Sequence, residues 1–243
     1  MSERVWSTFQ AMRSDGLLVR LSIQDLPKTR IDDGVQLFVD NFFSEETFLV
    51  AAGISRNPEA IAELKTLVTE SLKDPACHSV ICCEKRVDGK VGRIIGVSSM
   101  ILVTEVRPDN MQDMKRKTKE LQTLSQLMED ASLLNIMKKL NISHFYEGFG
   151  AVVHPEFRRL GIMTEFLKAR CLACVAHNVP ATGALMTCIA SQKAAEKENW
   201  ETVLNVDLQE LGRKYGVIFD NKIYLKPIRD LFSYVCVDRF LDL

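Results

Sequence analysis

The stretch from Phe145 to His177 constrains this chain more than any other. Phe145-Tyr-Glu-Gly-Phe-Gly-Ala-Val-Val153 is rich in β-branched and aromatic residues and reads as a strand. His154-Pro-Glu-Phe-Arg-Arg-Leu-Gly161 is a polar turn, and from Ile162 to about His177 the apolar residues Phe166, Leu167 and Leu172 recur at helical spacing. A strand that turns tightly into a helix leaves the first amides of that helix without intrahelical partners and facing the positive end of the helix dipole. Such a start is an anion site suited to a diphosphate; Gly161 lets the backbone come close, and Arg158 or Arg159 adds charge. Capped helices that bind nothing share this pattern, so the motif alone leaves both readings open.

The rest of the chain fits one mixed α/β domain. Leu17–Ile23 reads as a strand stopped by Asp25-Leu-Pro27. Ile31, Val35, Leu37, Phe38, Phe42 and Phe43 lie at helical spacing behind Asp32-Asp33, and this helix ends near Ser44-Glu45-Glu46. Asn57-Pro58 opens a second helix that runs to Asp74-Pro75. His78–Glu84 and Gly92–Thr104 read as strands joined by an Asp88-Gly89 hairpin turn. Met111 to Leu140 forms a long helical stretch whose first half is strongly charged, a solvated face. Ala181–Cys188 is another strand, Ser191–Glu198 another helix, and 202–206, 222–226 and 234–237 are late strands. No linker or repeat divides the 243 residues, a length compatible with one large domain or two small ones at roughly 100–200 residues each.

Composition narrows the function by exclusion. Thirty-one basic against 32 acidic residues give a net charge of −1, so no global field draws the chain to nucleic acid or anionic lipid, and any basic site must be local. Seven cysteines, several among apolar neighbours, read as reduced core residues rather than a disulfide framework. Cys171-Leu-Ala-Cys174 has redox or zinc spacing but sits within a helical pattern, and His78, His144 and His177 form no ligand pattern, so no metal is expected. The first residues have no apolar core for a signal peptide, and no run approaches the ~18 apolar residues of a membrane helix. The expectation is a cytoplasmic monomer with no nucleic-acid or membrane partner.

The run Val153-His-Pro-Glu-Phe-Arg-Arg-Leu-Gly-Ile-Met-Thr164 resembles motif A of the GNAT acyl-CoA-dependent N-acetyltransferases, Arg/Gln-x-x-Gly-x-Gly/Ala between a strand and a helix. The resemblance implies the GNAT-like acyl-CoA N-acyltransferase fold, a central twisted mixed sheet flanked by helices. It implies acetyl-CoA as co-substrate, with the pantetheine arm along Ala151, Val152 and Val153 and the pyrophosphate on Arg158, Arg159, Leu160, Gly161, Ile162, Met163 and Thr164. Met163 stands where the family has a small residue. Ile23-Gln-Asp-Leu-Pro27, Phe42-Phe-Ser-Glu-Glu-Thr47 and Ala190-Ser-Gln-Lys193 are similar, in that order, to segments of the insect-type arylalkylamine N-acetyltransferases and their agmatine- and polyamine-acting relatives. The order covers nearly all of 1–243 as one N-acetyltransferase domain, with a helical insertion at about 109–143.

In that subfamily an Asp-Glu-Pro segment supplies a Glu that acts through water as general base. The aligned Glu45-Glu46-Thr47 makes Glu46 the base, which an amine needs because it is mostly ammonium at neutral pH. Glu147 on the cofactor strand is a second water-linked carboxylate, on the opposite sheet face from Tyr146 by alternation. Ser191 opens its helix, so its hydroxyl either caps the helix or approaches the pantetheine and thiolate. The Tyr that many relatives use to protonate the thiolate has no counterpart at Ala194-Ala-Glu196, and Asn199-Trp200 replaces the usual Gly-Phe. His154 reads as a loop residue, and Phe42, Phe43, Phe48 and Phe145 as mostly core. The implied activity is acetyl transfer to a small primary amine such as dopamine, tyramine or serotonin, or agmatine or a polyamine, by direct attack in a ternary complex. The alternatives are a degenerate acyl-CoA-binding sensor or interaction protein of the same fold, and a protein acetyltransferase.

Overall fold

The computed structural model describes residues 4–85, 90–104, 116–130, 135–219 and 230–237, the last as backbone. Among these, eight strands form one sheet: β1 (Val5–Met12), β2 (Leu18–Asp25), β3 (Cys77–Lys85), β4 (Val91–Thr104), β5 (His144–Val153), β6 (Ala181–Met186), β7 (Glu201–Asp207) and β8 (Asp230–Val237). Their spatial order is β1-β2-β3-β4-β5-β6-β8-β7. Every neighbouring pair is antiparallel except β5 and β6, which run parallel and pair only at Tyr146↔Thr182 and Glu147↔Gly183. Beyond these two pairs the strands diverge, so the sheet opens into a wedge at its middle.

Helices cover both faces. On one lie α1 (Ile31–Asn41), the short α2 (Thr47–Ala51), α3 (Pro58–Lys73), α4 (Lys119–Asp130) and α8 (Leu208–Tyr215), whose apolar residues join Ile81, Val97 and Val152 in the largest core cluster. Complete burial of a side chain such as Phe38 or Phe48 contributes about 1.5–3 kcal/mol. On the other face α6 (Ile162–His177) packs Ile162, Phe166 and Ala169 on Leu21, Ile23, Val80 and Ile95. Next to it α7 (Ile189–Lys197) packs on α6 and β6 through Ala194 and Ala195. Adjacent Cys82 and Cys83 serve opposite faces, as strand alternation requires. The remaining helix is α5 (Asn135–Leu140).

Local chemistry accounts for the boundaries. Asn57 Oδ1 caps α3 by accepting from Glu59 N at 3.0 Å, and Pro58 occupies its first turn. The helix stops at Asp74, held extended before Pro75. The bounds of α6 coincide with the sequence reading, although Leu172 is exposed rather than on the buried side. Three elements go beyond that reading: β1, α2 and α8. β1 joins β2 through a turn at Asp15-Gly16, where Arg13 N donates to Leu17 O at 2.9 Å and Gly16 has φ 82. The charged helical stretch 111–140 corresponds to α4 and α5; residues 105–115 and 131–134 lie outside the described residues, as do most of the Arg86–Lys90 turn and the strand expected at 222–226. Glu63 fixes the start of α4, accepting from Lys117 N, Thr118 N and Thr118 Oγ1 at 2.7, 2.9 and 2.7 Å.

Candidate active site

The wedge is built from β5. Gly150 has φ 127 and takes part in a bulge: Ser99 pairs with Gly150 but Met100 with Gly148, which leaves Phe149 as the extra residue. From Gly148 to Val153 the strand is paired to β4 alone, so backbone groups that point away from β4 face the wedge. Ala151 and Val153 are half-buried on this edge, and Val152 is buried in the core below it.

At the mouth of the wedge the chain turns through Pro155–Phe157 into α6. His154 caps that turn, its Nδ1 accepting from Glu156 N, which makes it the loop residue expected from the sequence. Arg159 at φ 66 and Gly161 at φ 81 both take the left-handed conformation on either side of Leu160, a geometry that turns successive amides to one side. No side chain among the described residues caps α6, so the first-turn amides of Ile162, Met163 and Thr164 have no capping partner there. A Cβ on Gly161 would meet no atom of the described residues within 4 Å, so among them the approach to these amides is open. The Met163 side chain, where the family has a small residue, packs on the cluster of Leu167, Ala184, Met186 and Trp200 and on that of Phe157 and Ile162.

The two arginines of the loop differ. Arg159 is exposed, as an anion-seeking side chain should be. Arg158 Nη2 donates to Glu45 Oε2 at 2.7 Å and its Nε to Val153 O at 3.1 Å. This ion pair joins the loop to the segment that follows α1, and it places Glu46 on the same side of the wedge.

Glu46 is held from three directions. It is the N-cap of α2, one oxygen accepting from Phe48 N and Leu49 N at 2.9 Å each. Its backbone N–H donates to Phe42 O at 2.9 Å, and α1 leans on the bulge, since Phe38 Cε1 lies 3.1 Å and Phe42 Cζ 3.7 Å from where a Gly150 Cβ would stand. The Thr187 hydroxyl, just past β6, also hydrogen-bonds its carboxylate. Burial pushes the carboxyl above its ordinary pKa, opposed by the hydrogen bonds from Leu49, Thr187, Phe48 and Thr47. Thr47, where the subfamily has Pro, is buried, and its Oγ1 donates to Thr187 O at 2.7 Å. The substitution therefore tethers the acidic segment to β6.

Ser191 is not the cap of α7. The helix begins at Ile189, Cys188 Sγ accepts from Ser191 N at 3.5 Å, and Ser191 Oγ donates to Cys188 O at 2.8 Å. Ser191 thus stands one short turn beyond Thr187, on the rim that also holds Glu46. Asn199 takes φ 57, the left-handed position a Gly would fill, and Trp200 is buried on the Met186 side, so this departure keeps the turn after α7. Glu147 is half-buried at the last β5–β6 pair, with Tyr146 facing α6 on the opposite side. Phe43, Phe48 and Phe145 are core and Phe42 is half-buried.

A second polar group lies behind the sheet, at the C-terminal end of α6. Tyr146 Oη and His177 Nδ1 are 2.9 Å apart, the His78 and His177 rings are 4.8 Å apart, and Trp6 Nε1 donates to Asp25 Oδ1. Burial brings His78 down to about 4, with Asp25 opposing and His177 assisting the shift. These residues are far apart in sequence and carry no local motif. The cysteines described are free, and no group of three or more His, Cys, Asp or Glu is arranged to hold a metal among the described residues.

No protein-family model and no curated protein matches this chain in sequence. In structure it is similar to an insect protein designated arylalkylamine N-acetyltransferase 7, from the yellow fever mosquito Aedes aegypti, with TM-score 0.82, 24% identity and coverage of 98% of this chain and 96% of that one. It is also similar to arylalkylamine N-acetyltransferase 2 of Aedes aegypti, with TM-score 0.69, 16% identity and 89% and 98% coverage. A Drosophila melanogaster polyamine N-acetyltransferase that forms N-acetylagmatine superposes with TM-score 0.68 at 11% identity, covering 89% and 99%. The fold is that of these insect N-acetyltransferases. No helix among the described residues is long and apolar enough to cross a membrane.

Proposed function

We propose that this chain is an acetyl-CoA-dependent N-acetyltransferase for a small primary amine, either an arylalkylamine or agmatine or a polyamine. The observation that carries the reading is the wedge between β5 and β6, with the uncapped start of α6 at its mouth and Glu46 fastened to Thr187 on its rim. The amides of Leu160 to Thr164, with Arg159, would hold the pyrophosphate, and the free edge of Ala151–Val153 the pantetheine. One N-acetyltransferase domain would span 1–243.

Glu46 is the general base. Its raised pKa suits it to take, through water, the proton that the ammonium must lose. The amine then attacks the thioester carbon directly, and coenzyme A leaves as a thiolate, a good leaving group that needs no dedicated acid. Glu147, half-buried at the wedge apex, is a second site for a bridging water, and Ser191 lines the rim near the thiol. The role of Glu46 as a helix cap supports a second reading, an acyl-CoA-binding module without turnover, because the same oxygen already accepts two amides. Incubating the protein with acetyl-CoA and a panel of arylalkylamines, agmatine and polyamines, while following free thiol, separates the two. Amine-dependent thiol release supports the enzyme. Tight coenzyme A binding with no release for any amine supports the module, and absence of both discards the two together.

A further inference from the structure

Arg170, midway along α6, is 2% exposed. Its Nε donates to Ser98 Oγ and its Nη2 to Ser99 O, each at 3.1 Å, while Nη1 is buried with no hydrogen-bond partner among the described residues. No carboxylate among the described residues shares these contacts. Burial brings its pKa down to about 10, so the guanidinium stays charged at neutral pH. Burying a cation without a counter-charge beside it is unfavourable, and a buried donor left unused adds to the cost.

The position of that donor is informative. A Cβ built on Gly148 would stand 2.6 Å from Arg170 Nη1 and 2.6 Å from Ala184 Cβ. Gly148 and Ala184 are each one residue past the last parallel pair, Glu147↔Gly183. Nη1 therefore lies where β5 and β6 part, at the apex of the wedge, in the space that only a glycine at 148 leaves for it. The serine contacts come from β4 at the bulge, so the guanidinium crosses beneath β5 and is fixed at the far side.

We propose that Arg170 donates its Nη1–H to the carbonyl oxygen of the acyl thioester and stabilises the charge that oxygen gains during transfer. This rests on the acyl-CoA reading above. When the amine nitrogen bonds to the carbonyl carbon, the π pair moves onto oxygen and the Arg170 N–H···O contact becomes charge-assisted. When the carbonyl re-forms, the C–S bond breaks and the pair leaves on sulfur as thiolate. Glu46 has taken the ammonium proton through water before the attack, the second nitrogen proton, freed as the amide forms, goes to the departing thiolate, and Arg170 keeps its own proton throughout. A neutral carbonyl gains one hydrogen bond from the fixed cation and an oxyanion gains far more, so the contact favours the transition state over the ground state.

The test compares the wild type with Arg170→Gln and Arg170→Lys. The probes are coenzyme A and S-acetonyl-coenzyme A, a ketone that keeps the carbonyl and cannot transfer. Calorimetry gives the affinities, and the carbonyl stretch of the 13C-labelled ketone reports the hydrogen bond. The expected result is a band moved to lower frequency on binding the wild type and not moved by Arg170→Gln. That variant should bind coenzyme A within a factor of about 3 of wild type, bind the ketone at least about 10-fold more weakly, and lose about 10²–10³ in kcat. Arg170→Lys should recover part of the band shift. Equal weakening for both ligands, or an unmoved band in the wild type, would overturn the proposal and leave Arg170 as a prop between strands. If Arg170→Gln does not fold, the wild-type band decides alone. Failure of the wild type to bind coenzyme A at all would instead discard the acyl-CoA reading itself.

Discussion

Thr47 Oγ1 donates to the carbonyl of Thr187 at 2.7 Å, joining residues 140 positions apart and fastening the start of α2 to the end of β6. Replacing Thr47 by Val keeps the shape and removes the donor. The loss of one largely buried hydrogen bond should cost about 1 kcal/mol in denaturant unfolding. Since Glu46 is the adjacent residue, kcat for amine acetylation should fall while coenzyme A affinity, set at the other end of the wedge, stays unchanged.

Glu46→Gln preserves an acceptor for the Phe48 and Leu49 amides but cannot take a proton. A rate loss of about 10²–10⁴ in kcat/KM is expected, with acetyl-CoA binding retained. The base acts when ionised, and burial raises its pKa above the ordinary 4.5, so wild-type kcat should fall as pH drops through that raised value. The acid limb should vanish in Glu46→Gln. A limb that persists in the variant assigns it to another group, Glu147 being the next to test.

The reach of the sequence differed from element to element for physical reasons. α6 was legible because a polar turn and Gly161 mark its start and its apolar spacing runs for four turns, and both ends agree with the structure. β1 escaped because it is an edge strand with a largely exposed outer face, although Asp15-Gly16 is a hairpin signal that could have located it. α2 has five residues, too few to show a period. Within the site, the loop amides followed from local order. The Glu45–Arg158 pair, the Thr47–Thr187 tether and the burial of Arg170 depend on how distant segments meet, and an arginine inside an amphipathic helix looks from sequence like part of a solvated face.

Gly161 holds φ 81 at the head of α6. Gly161→Ala forces a side chain into the left-handed region at a cost of about 1–2 kcal/mol, measured as a lower unfolding midpoint. The same Cβ would stand at the open approach to the loop amides, so coenzyme A should bind at least about 10-fold more weakly, a loss of about 1.4 kcal/mol. Gly161→Asn, which tolerates this conformation better, should recover stability more than affinity.

Glu63 tests the anchoring of α4. Burial alone would raise its pKa, but the amide of Lys117 and the hydroxyl and amide of Thr118 outweigh it, and the net shift is downward from 4.5. A lowered pKa contributes stability above the unfolded value that is lost as pH falls through the folded one. Glu63→Gln should therefore lower the urea midpoint at neutral pH, and the gap from wild type should close below pH 4.5.

The most direct test of the central claim is hydrogen exchange on the wild type with and without coenzyme A. If the wedge is the cofactor site, protection should concentrate in Ala151–Val153 and in Leu160–Thr164. Coenzyme A binding with protection elsewhere and none in these two segments would contradict it.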